Sequence, residues 1–187
     1  MIRACILGCA SKALSAEEAG FFRQAKPWGF ILFARNIESP EQVRKLVSDL
    51  RETVGREDAP VLIDQEGGRV QRLGPPHWRR YPPGRAYASS DEAWRGARLI
   101  AHDLLVLGIN VDCAPVADVP APGAHDIIGD RAFAIEPGLV AEMARGQAEG
   151  LIAGGVMPVV KHIPGHGRAA ADSHETSGGS SITPEPT

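Results

Sequence analysis

Cysteine and aromatic residues are scarce in this 187-residue sequence, and positive and negative charges almost balance. Its three cysteines, Cys5, Cys9 and Cys113, are odd in number and show no Cys-x-x-Cys spacing, which argues against a disulfide scaffold and a structural zinc site. A formal net charge of -3 leaves no basic stripe to neutralise phosphates, so we expect no nucleic-acid partner. No segment approaches the ~18 apolar residues that span a membrane, so we expect no membrane partner.

An export signal is also not evident near the N-terminus. Gly8 and Cys9 resemble a lipoprotein cleavage box, but too few residues precede them to form a basic region and an apolar stretch of about 7–15 residues. An apolar share of 43% with 23% charged residues is typical of a globular protein. We therefore expect a globular protein of the reducing cytoplasm.

Short apolar segments alternate with longer segments of helical period, a pattern typical of βα repeats and a parallel sheet. Ser15 with Glu18 predicts a capping box that opens a helix with Phe21 and Phe22 turned inward, and Ser39 followed by Pro40 predicts a second helix start. The predicted strands cover residues 4–7, 29–33, 60–64, 109–112 and 156–160, and further helices cover 91–107 and 137–153. Long polar insertions at 65–90 and 113–136 follow strands, and long loops are usually functional.

Two architectures suit about five βα repeats. A TIM barrel needs eight units and typically about 250 residues, so the length favours an open, doubly wound sheet. However, no GxGxxG motif follows the first strand, and charged strand ends recur at several strands rather than at one switch point. We therefore predict an α/β fold of the TIM (β/α)8-barrel type, truncated after about five βα units.

The first group of candidate site residues is the motif DQEGGRVQR at residues 64–72, which begins where an apolar strand ends. Paired glycines allow a sharp turn, after which Asp64 could accept hydrogen bonds from sugar hydroxyls and an arginine of the motif could donate them. A surface loop whose charges pair with one another explains the same spacing.

The second group is the motif KHIPGHG at residues 161–167, followed by Asp172 and His174. Asp172 could orient the His174 imidazole and raise its proton affinity. A metal site is the competing interpretation, with His162, His166, His174 and Asp172 as ligands, and a structural histidine cluster is the third. The residues alone leave these three open.

The third group lies in the insertion after the fourth strand. Arg131 beside Asp130 could form a surface ion pair or a substrate clamp. Cys113 has no evident activating base, so we interpret it as a small buried residue.

These motifs, together with WGFILFARN at 28–36, APVAD at 114–118 and IGDR at 128–131, closely resemble the N-terminal part of the glycoside hydrolase family 3 β-N-acetylhexosaminidases of bacterial peptidoglycan recycling. The resemblance implies a cytoplasmic TIM-barrel glycosidase that removes terminal β-linked N-acetylglucosamine, with retention of configuration, from muropeptides or related oligosaccharides. It implies no cofactor, no metal, and a monomer when full length.

The resemblance also implies roles for individual residues. It places the general acid/base on His174 with Asp172 as its partner, and so favours proton transfer over metal binding. It implies that five residues bind the sugar: Asp64, Arg72, Arg131, Lys161 and His162. Asp112 and Asp118 match other positions of the family and are not expected to act as the nucleophile.

The resemblance covers residues 1–174, whereas residues 175–187 form a polar, turn-rich tail that we predict to be disordered. The nucleophilic aspartate of the family is expected beyond this point, so we expect the chain alone to lack the covalent step. Two alternatives follow: an inactive or carbohydrate-binding fragment and, less favoured, a metal-dependent hydrolase.

Overall fold

A computed structural model of the chain describes residues 1–124 and 126–168. Asp172, His174 and the predicted tail at 175–187 lie outside the described residues. Four α-helices lie within them: α1 Ala16–Ala25, α2 Pro40–Val54, α3 Ser90–Leu105 and α4 Pro137–Ala153. Seven strands accompany them: β1 Arg3–Gly8, β2 Pro27–Leu32, β3 Val61–Ile63, β4 Gln65–Gly67, β5 Val70–Gln71, β6 Val111–Asp112 and β7 Met157–Pro158.

The helix starts follow the predicted capping chemistry. Ser15 and Glu18 form a capping box at α1, and the Ser39 side chain accepts a hydrogen bond from the Gln42 amide at the start of α2. Phe22 is buried and its ring meets Phe30 of β2 edge-on, with the ring centroids 5.2 Å apart. The prediction for Phe21 is wrong: this side chain is 57% exposed, because one turn of α1 cannot direct two adjacent residues at the sheet.

The main sheet has five parallel strands in the order β1-β2-β3-β6-β7. Within this sheet, each strand therefore lies beside the strand of the sheet that comes next in the sequence. Among the described residues this order never reverses. A doubly wound sheet reverses its order at a switch point, where ligands bind, whereas a barrel adds strands in one direction. The α/β class and the parallel sheet are confirmed, and closure into a barrel stays a prediction.

The region predicted as a long loop at 65–90 contains an additional element. β4 and β5 form an antiparallel ribbon directly after β3. The strands that were predicted at 109–112 and 156–160 are shorter in the structure, where β6 and β7 pair over two residues. Beside β6, the Asn110 side chain adds a contact to β3, since Asn110 Oδ1 accepts a hydrogen bond from the Val61 amide at 2.8 Å.

The hydrophobic core lies between this sheet and the helices. Val43, Leu46, Val47 and Leu50 form the predicted apolar stripe of α2, and each is at most 2% exposed. All five strands run in one direction, so their carboxyl ends share one edge of the sheet, and the segments that follow β3, β6 and β7 meet there. In the part of the chain described, no helix combines the length and apolarity needed to cross a bilayer.

Candidate functional site

The β4–β5 ribbon turns directly above the end of β3. Gly67 and Gly68 adopt positive φ angles of 99° and 59°, which L side chains rarely adopt. A Cβ atom on Gly67 would collide with the Pro82 carbonyl oxygen, so the ribbon and the segment around Pro82 approach at backbone distance. Both positions of the motif therefore require glycine, because a side chain would strain the backbone and would have no room.

Two buried or half-buried glutamine side chains hold this region together. Gln65 Oε1 accepts hydrogen bonds from the amides of Arg72 (3.0 Å) and Leu73 (2.9 Å), and its Nε2 donates to the Leu73 carbonyl. Gln71 donates to the Arg79 carbonyl and accepts from the Tyr81 amide. These amide contacts fix the backbone at Arg72, whose guanidinium then reaches Asp64 with Nη2 3.2 Å from Oδ2.

A cluster of alternating charges lies at the carboxyl edge of the sheet, and we call it the charge cluster. It consists of Asp64, Glu66, Arg72, Arg131 and Lys161. Lys161 Nζ lies 2.7 Å from Asp64 Oδ1 and 2.5 Å from Glu66 Oε1. Arg131 makes two parallel hydrogen bonds to Glu66, each of 2.9 Å. The cluster joins three separate segments of the chain.

Burial within the charge cluster is graded. The Glu66, Arg131 and Lys161 side chains are 6%, 11% and 13% exposed, whereas Asp64 and Arg72 are 18% and 26% exposed. Glu66 is therefore the inner hub, and Asp64 and Arg72 form the outer part. Asp64 accepts one hydrogen bond on each carboxylate oxygen and, since each oxygen has two lone pairs, it can accept more from a ligand.

For three members of the charge cluster, the attraction of opposite charges shifts the pKa further than burial does in the other direction. Burial alone would raise the pKa of Asp64, but Lys161 and then Arg72 hold that pKa below its ordinary value. Burial would lower the pKa of Lys161, but Glu66 and Asp64 raise it above its ordinary value. The pKa of Arg131 is likewise raised, because Glu66 outweighs the effect of its burial. Asp64, Lys161 and Arg131 therefore stay charged around neutral pH.

Asp112 lies beneath the cluster at the end of β6, with no exposed surface. Its Oδ1 accepts a hydrogen bond from the Gln65 amide at 3.0 Å, and its Oδ2 meets no hydrogen-bond donor among the described residues. Burial raises the pKa of this carboxyl well above its ordinary value. Neighbouring Cys113 is buried as predicted, and burial raises the pKa of its thiol to about 11, which makes it a poor nucleophile.

The KHIPGHG segment is held by Asp118, whose side chain is fully buried. Asp118 Oδ2 lies 2.6 Å from His162 Nδ1, and Oδ1 accepts from the His166 amide at 2.5 Å. Burial would raise the pKa of Asp118, but these hydrogen bonds lower it below the ordinary value. Lys161 itself is fixed by a parallel bridge to Val116, so the backbone positions its ammonium within the charge cluster.

The structure brings four of the five predicted sugar-binding residues into one cluster. These are Asp64, Arg72, Arg131 and Lys161, and the fifth, His162, follows Lys161 and is held by Asp118. Their role in binding sugar stays a prediction. Arg131 pairs with Glu66 and not with Asp130, which is bound by Arg69 instead. The predicted catalytic pair, Asp172 and His174, lies outside the described residues.

The sequence predicted no site role for Glu66 or Asp118, although each organises its part of the site. Glu66 stands inside a charged motif that also suits an exposed loop, and only the ribbon shows that it turns inward. Asp118 stands in the quoted APVAD motif, and its position after an apolar segment was the available signal. Within residues 1–124 and 126–168, no three His, Cys, Asp or Glu side chains are grouped as metal ligands.

The fold and the charge cluster together define an α/β protein with a polar site at the carboxyl ends of parallel strands, as in barrel enzymes. The family model for the glycosyl hydrolase family 3 N-terminal domain matches residues 7–185. The chain belongs to this family.

Curated relatives carry a consistent name. The β-hexosaminidase of Methylococcus capsulatus is 42% identical over 167 residues, which cover 86% of this chain and 49% of the relative. That of Alkalilimnicola ehrlichii is 39% identical over 177 residues, which cover 90% of this chain and 50% of the relative. The chain therefore spans about half the length of the curated relatives it matches.

A solved structure shares the fold closely. NagZ from Neisseria gonorrhoeae, in complex with N-trifluoroacetyl-D-glucosamine, superimposes with a TM-score of 0.82 at 30% identity. The similarity covers 90% of this chain and 52% of that chain.

Proposed function

We propose that this chain is the N-terminal part of a retaining exo-β-N-acetylglucosaminidase that releases terminal β-linked N-acetylglucosamine from peptidoglycan fragments in the cytoplasm. The observation that carries the proposal is the charge cluster, in which Asp64 and Arg72 face outward from a buried Glu66–Arg131–Lys161 hub. The proposal includes a TIM-type barrel, which the sequential parallel order of the sheet supports.

The cluster suits a sugar because a pyranose presents several hydroxyl groups, each both donor and acceptor. Asp64 has unused acceptor capacity, Arg72 supplies guanidinium donors, and the raised pKa of Lys161 keeps its ammonium charged at neutral pH. Ion pairs inside the cluster fix these groups before a ligand arrives, so little side-chain entropy is lost on binding. The relative solved with N-trifluoroacetyl-D-glucosamine supports an N-acylated amino sugar as the ligand.

Proton transfer is assigned to His174, oriented by Asp172, and both lie outside the described residues. A retaining glycosidase protonates the leaving oxygen with one group and attacks the anomeric carbon with another. In this family a histidine takes the first role. Asp172 would hold the imidazole in one orientation and raise its proton affinity, so that it donates a proton as the glycosidic bond breaks.

The nucleophile is not expected among the carboxylates that surround the cluster. Asp64 and Glu66 are neutralised by cations, and Asp118 is fully buried and holds two histidine residues. Asp112 is buried with a raised pKa, which favours the protonated form and removes its nucleophilicity. The proposal therefore takes the nucleophilic aspartate from the half of the family's length that this chain does not span.

The cytoplasmic location in the proposal is supported by the cysteines. Cys5, Cys9 and Cys113 are odd in number and lack Cys-x-x-Cys spacing, a pattern that fits a reducing compartment.

The proposal is tested by titrating the chain with N-acetyl-D-glucosamine and D-glucose and following backbone amide shifts by NMR. We expect millimolar binding of the N-acetylated sugar, and a loss of at least about tenfold in affinity for Asp64→Asn, because a buried charge-assisted hydrogen bond is removed. Asp58→Asn, at an exposed carboxylate, serves as the matched control. Absence of binding, or equal affinity of Asp64→Asn and the native chain, contradicts the proposal.

Retention of configuration is tested separately, with a preparation of the protein that hydrolyses an aryl β-N-acetylglucosaminide. Proton NMR at early times should show the β-anomer of the released sugar first. Initial formation of the α-anomer would exclude the retaining mechanism and leave the sugar-binding assignment standing.

A further inference from the structure

A buried hydrogen bond between a tyrosine and a carboxylate of α3 lies outside the charge cluster. The Tyr81 hydroxyl donates to Asp103 Oδ2 at 2.6 Å, and the two residues are 5% and 9% exposed. Burial, and then the Asp103 carboxylate, raise the pKa of the Tyr81 hydroxyl, so it keeps its proton and remains a donor around neutral pH. Because Asp103 belongs to α3, the contact ties the segment after the ribbon to a helix.

The backbone of Tyr81 holds the ribbon at two points. Its carbonyl accepts a hydrogen bond from the Gly68 amide at 2.9 Å, and its amide donates to Gln71 Oε1 at 2.9 Å. Gly68 lies in the turn between β4 and β5, and Gln71 is the last residue of β5. One residue thus bonds to the turn and to the second strand of the ribbon, while its side chain is anchored on α3.

The ribbon leads directly from Gln71 to the outer part of the charge cluster. The next residue is Arg72, whose Nη2 lies 3.2 Å from Asp64 Oδ2. This contact depends on the position of the Arg72 backbone, because a hydrogen bond weakens steeply as its distance and angle depart from their preferred values. A continuous series of contacts therefore joins Asp103 on α3 to Asp64 at the end of β3.

We propose that Tyr81 and Asp103 are positioning residues, which hold the outer part of the charge cluster in place for the sugar. The inference rests on the proposed function where it concerns sugar affinity, whereas the expected effect on Asp64 requires no sugar. The support is firm, since Leu104 beside Asp103 is fully buried and α3 packs along α4. Without the tether to α3 the ribbon can shift, and Arg72 then holds Asp64 less closely.

Tyr81→Phe removes only the hydroxyl group and tests the inference with two measurements. Carbon-13 NMR of the side-chain carboxyl should show the pKa of Asp64 rising toward its ordinary value, because Arg72 contributes to lowering it. Affinity for N-acetyl-D-glucosamine should fall by about three- to tenfold, since part of the cost of the lost hydrogen bond reaches the sugar. Tyr87→Phe is the matched control and should change neither value, because the buried Tyr87 hydroxyl meets no hydrogen-bond partner among the described residues.

Variants of Asp103 separate the hydrogen bond from the charge. Asp103→Asn keeps an acceptor for the Tyr81 hydroxyl and should stay within about twofold of the native affinity, whereas Asp103→Ala should lose as much as Tyr81→Phe. The double variant Tyr81→Phe/Asp103→Ala should lose no more than either single variant, because both remove the same contact. Asp103 Oδ2 also lies 3.7 Å from Arg79 Nε. Equal losses in Asp103→Asn and Asp103→Ala would assign the effect to that ion pair and overturn the inference.

A variant elsewhere in the core controls for a general loss of stability. Leu50 is fully buried near the end of α2, and Leu50→Ala leaves a cavity there. The adjacent Arg51 binds the carbonyls of Ala59 and Gly108, which precede β3 and β6, so this part of the core lies at the opposite edge of the sheet from the site. Leu50→Ala should be less stable than the native chain and leave the pKa of Asp64 unchanged.

The two measured values are expected to change together in Tyr81→Phe. A change in only one of them, a change in neither, or an equal rise of the Asp64 pKa in Leu50→Ala would overturn the inference and leave the proposed function standing. If the native chain binds no N-acetyl-D-glucosamine, the proposed function fails. The positioning of Asp64 by Tyr81 then stands or falls on the pKa of Asp64 alone.

Discussion

Glu66 and Arg131 form a bidentate ion pair although they stand 65 residues apart in the chain. Both carboxylate oxygens of Glu66 accept from Arg131 at 2.9 Å, and one of them also lies 2.5 Å from Lys161 Nζ. Glu66 thus neutralises two cations in a region where its own side chain is 6% exposed. Both cations therefore depend in part on this one carboxylate for their positions.

The first prediction follows from that dependence. Glu66→Gln removes one charge from a buried network, and breaking such a network costs about 3–5 kcal/mol. We expect a loss of this size in the unfolding free energy from urea titration, with a fall in N-acetylglucosamine affinity. Glu38→Gln, in the exposed pair with Lys12, should cost about 0–1 kcal/mol. Equal losses in the two variants would show that burial does not strengthen the Glu66 contacts.

The second prediction concerns the turn of the ribbon. Gly67→Ala places a Cβ atom against the Pro82 carbonyl at a φ angle of 99°, so we expect destabilisation of more than about 1 kcal/mol and weaker sugar binding. Gly74→Ala is the matched control, because its Cβ would meet nothing closer than 3.9 Å. That variant should be neutral or stabilised by about 0.4–1 kcal/mol. A Gly67→Ala variant as stable as Gly74→Ala would mean that the ribbon has room to shift.

Asp64 and Lys161 show what the sequence could predict. They are 97 residues apart, yet each follows an apolar segment that predicted a strand, and parallel strands bring their carboxyl ends to one edge. Local chemistry predicted the helix starts equally well, since a capping box depends on residues three apart. These predictions were confirmed because the signals lie within a few neighbouring residues.

Glu66 and Asp118 show what could not be predicted from the residues alone. Whether a carboxylate inside a charged motif is exposed or buried depends on how the ribbon folds over β3, which involves Pro82 and Pro83 further along the chain. The partner of Arg131 could not be identified either, because Asp130 is adjacent in sequence and Glu66 is near only in the folded chain. The pattern of charges along the sequence therefore does not predict which ion pairs form between distant segments.

The third prediction concerns Asp118 and the segment after Lys161. Asp118→Ala leaves the amide of His166 and the ring of His162 without their carboxylate, so we expect the segment to loosen. Hydrogen–deuterium exchange at the His162 and His166 amides should accelerate by about tenfold or more, since each lost contact to a charged group is worth about 1.5–3 kcal/mol. Sugar affinity should fall in parallel.

Two further variants separate the effect of the Asp118 charge from that of the site as a whole. Asp118→Asn retains an acceptor oxygen and should restore part of the protection. Asp130→Ala removes an exposed carboxylate that binds Arg69 and should leave exchange at His162 and His166 unchanged. Unchanged exchange in Asp118→Ala would show that the backbone, rather than Asp118, fixes this segment.

The fourth prediction uses the raised pKa of Asp112. Because burial holds this pKa well above its ordinary value, the folded chain keeps a proton that the unfolded chain releases above about pH 4. The unfolding free energy of the native chain should therefore fall as pH rises from about 4 toward the folded pKa, by up to about 1.4 kcal/mol per pH unit from this group.

Asp112→Asn isolates that contribution. The amide carries no titrating proton and keeps an acceptor for the Gln65 amide, so the variant should match the native chain near pH 4 and become progressively more stable than it as pH rises. Urea titrations at several pH values measure the difference, with Asp58→Asn as the exposed control whose difference from the native chain stays flat. If the native chain instead gains stability over Asp112→Asn as pH rises, Asp112 is ionised and paired, and its carboxylate becomes available to take part in the chemistry of the charge cluster.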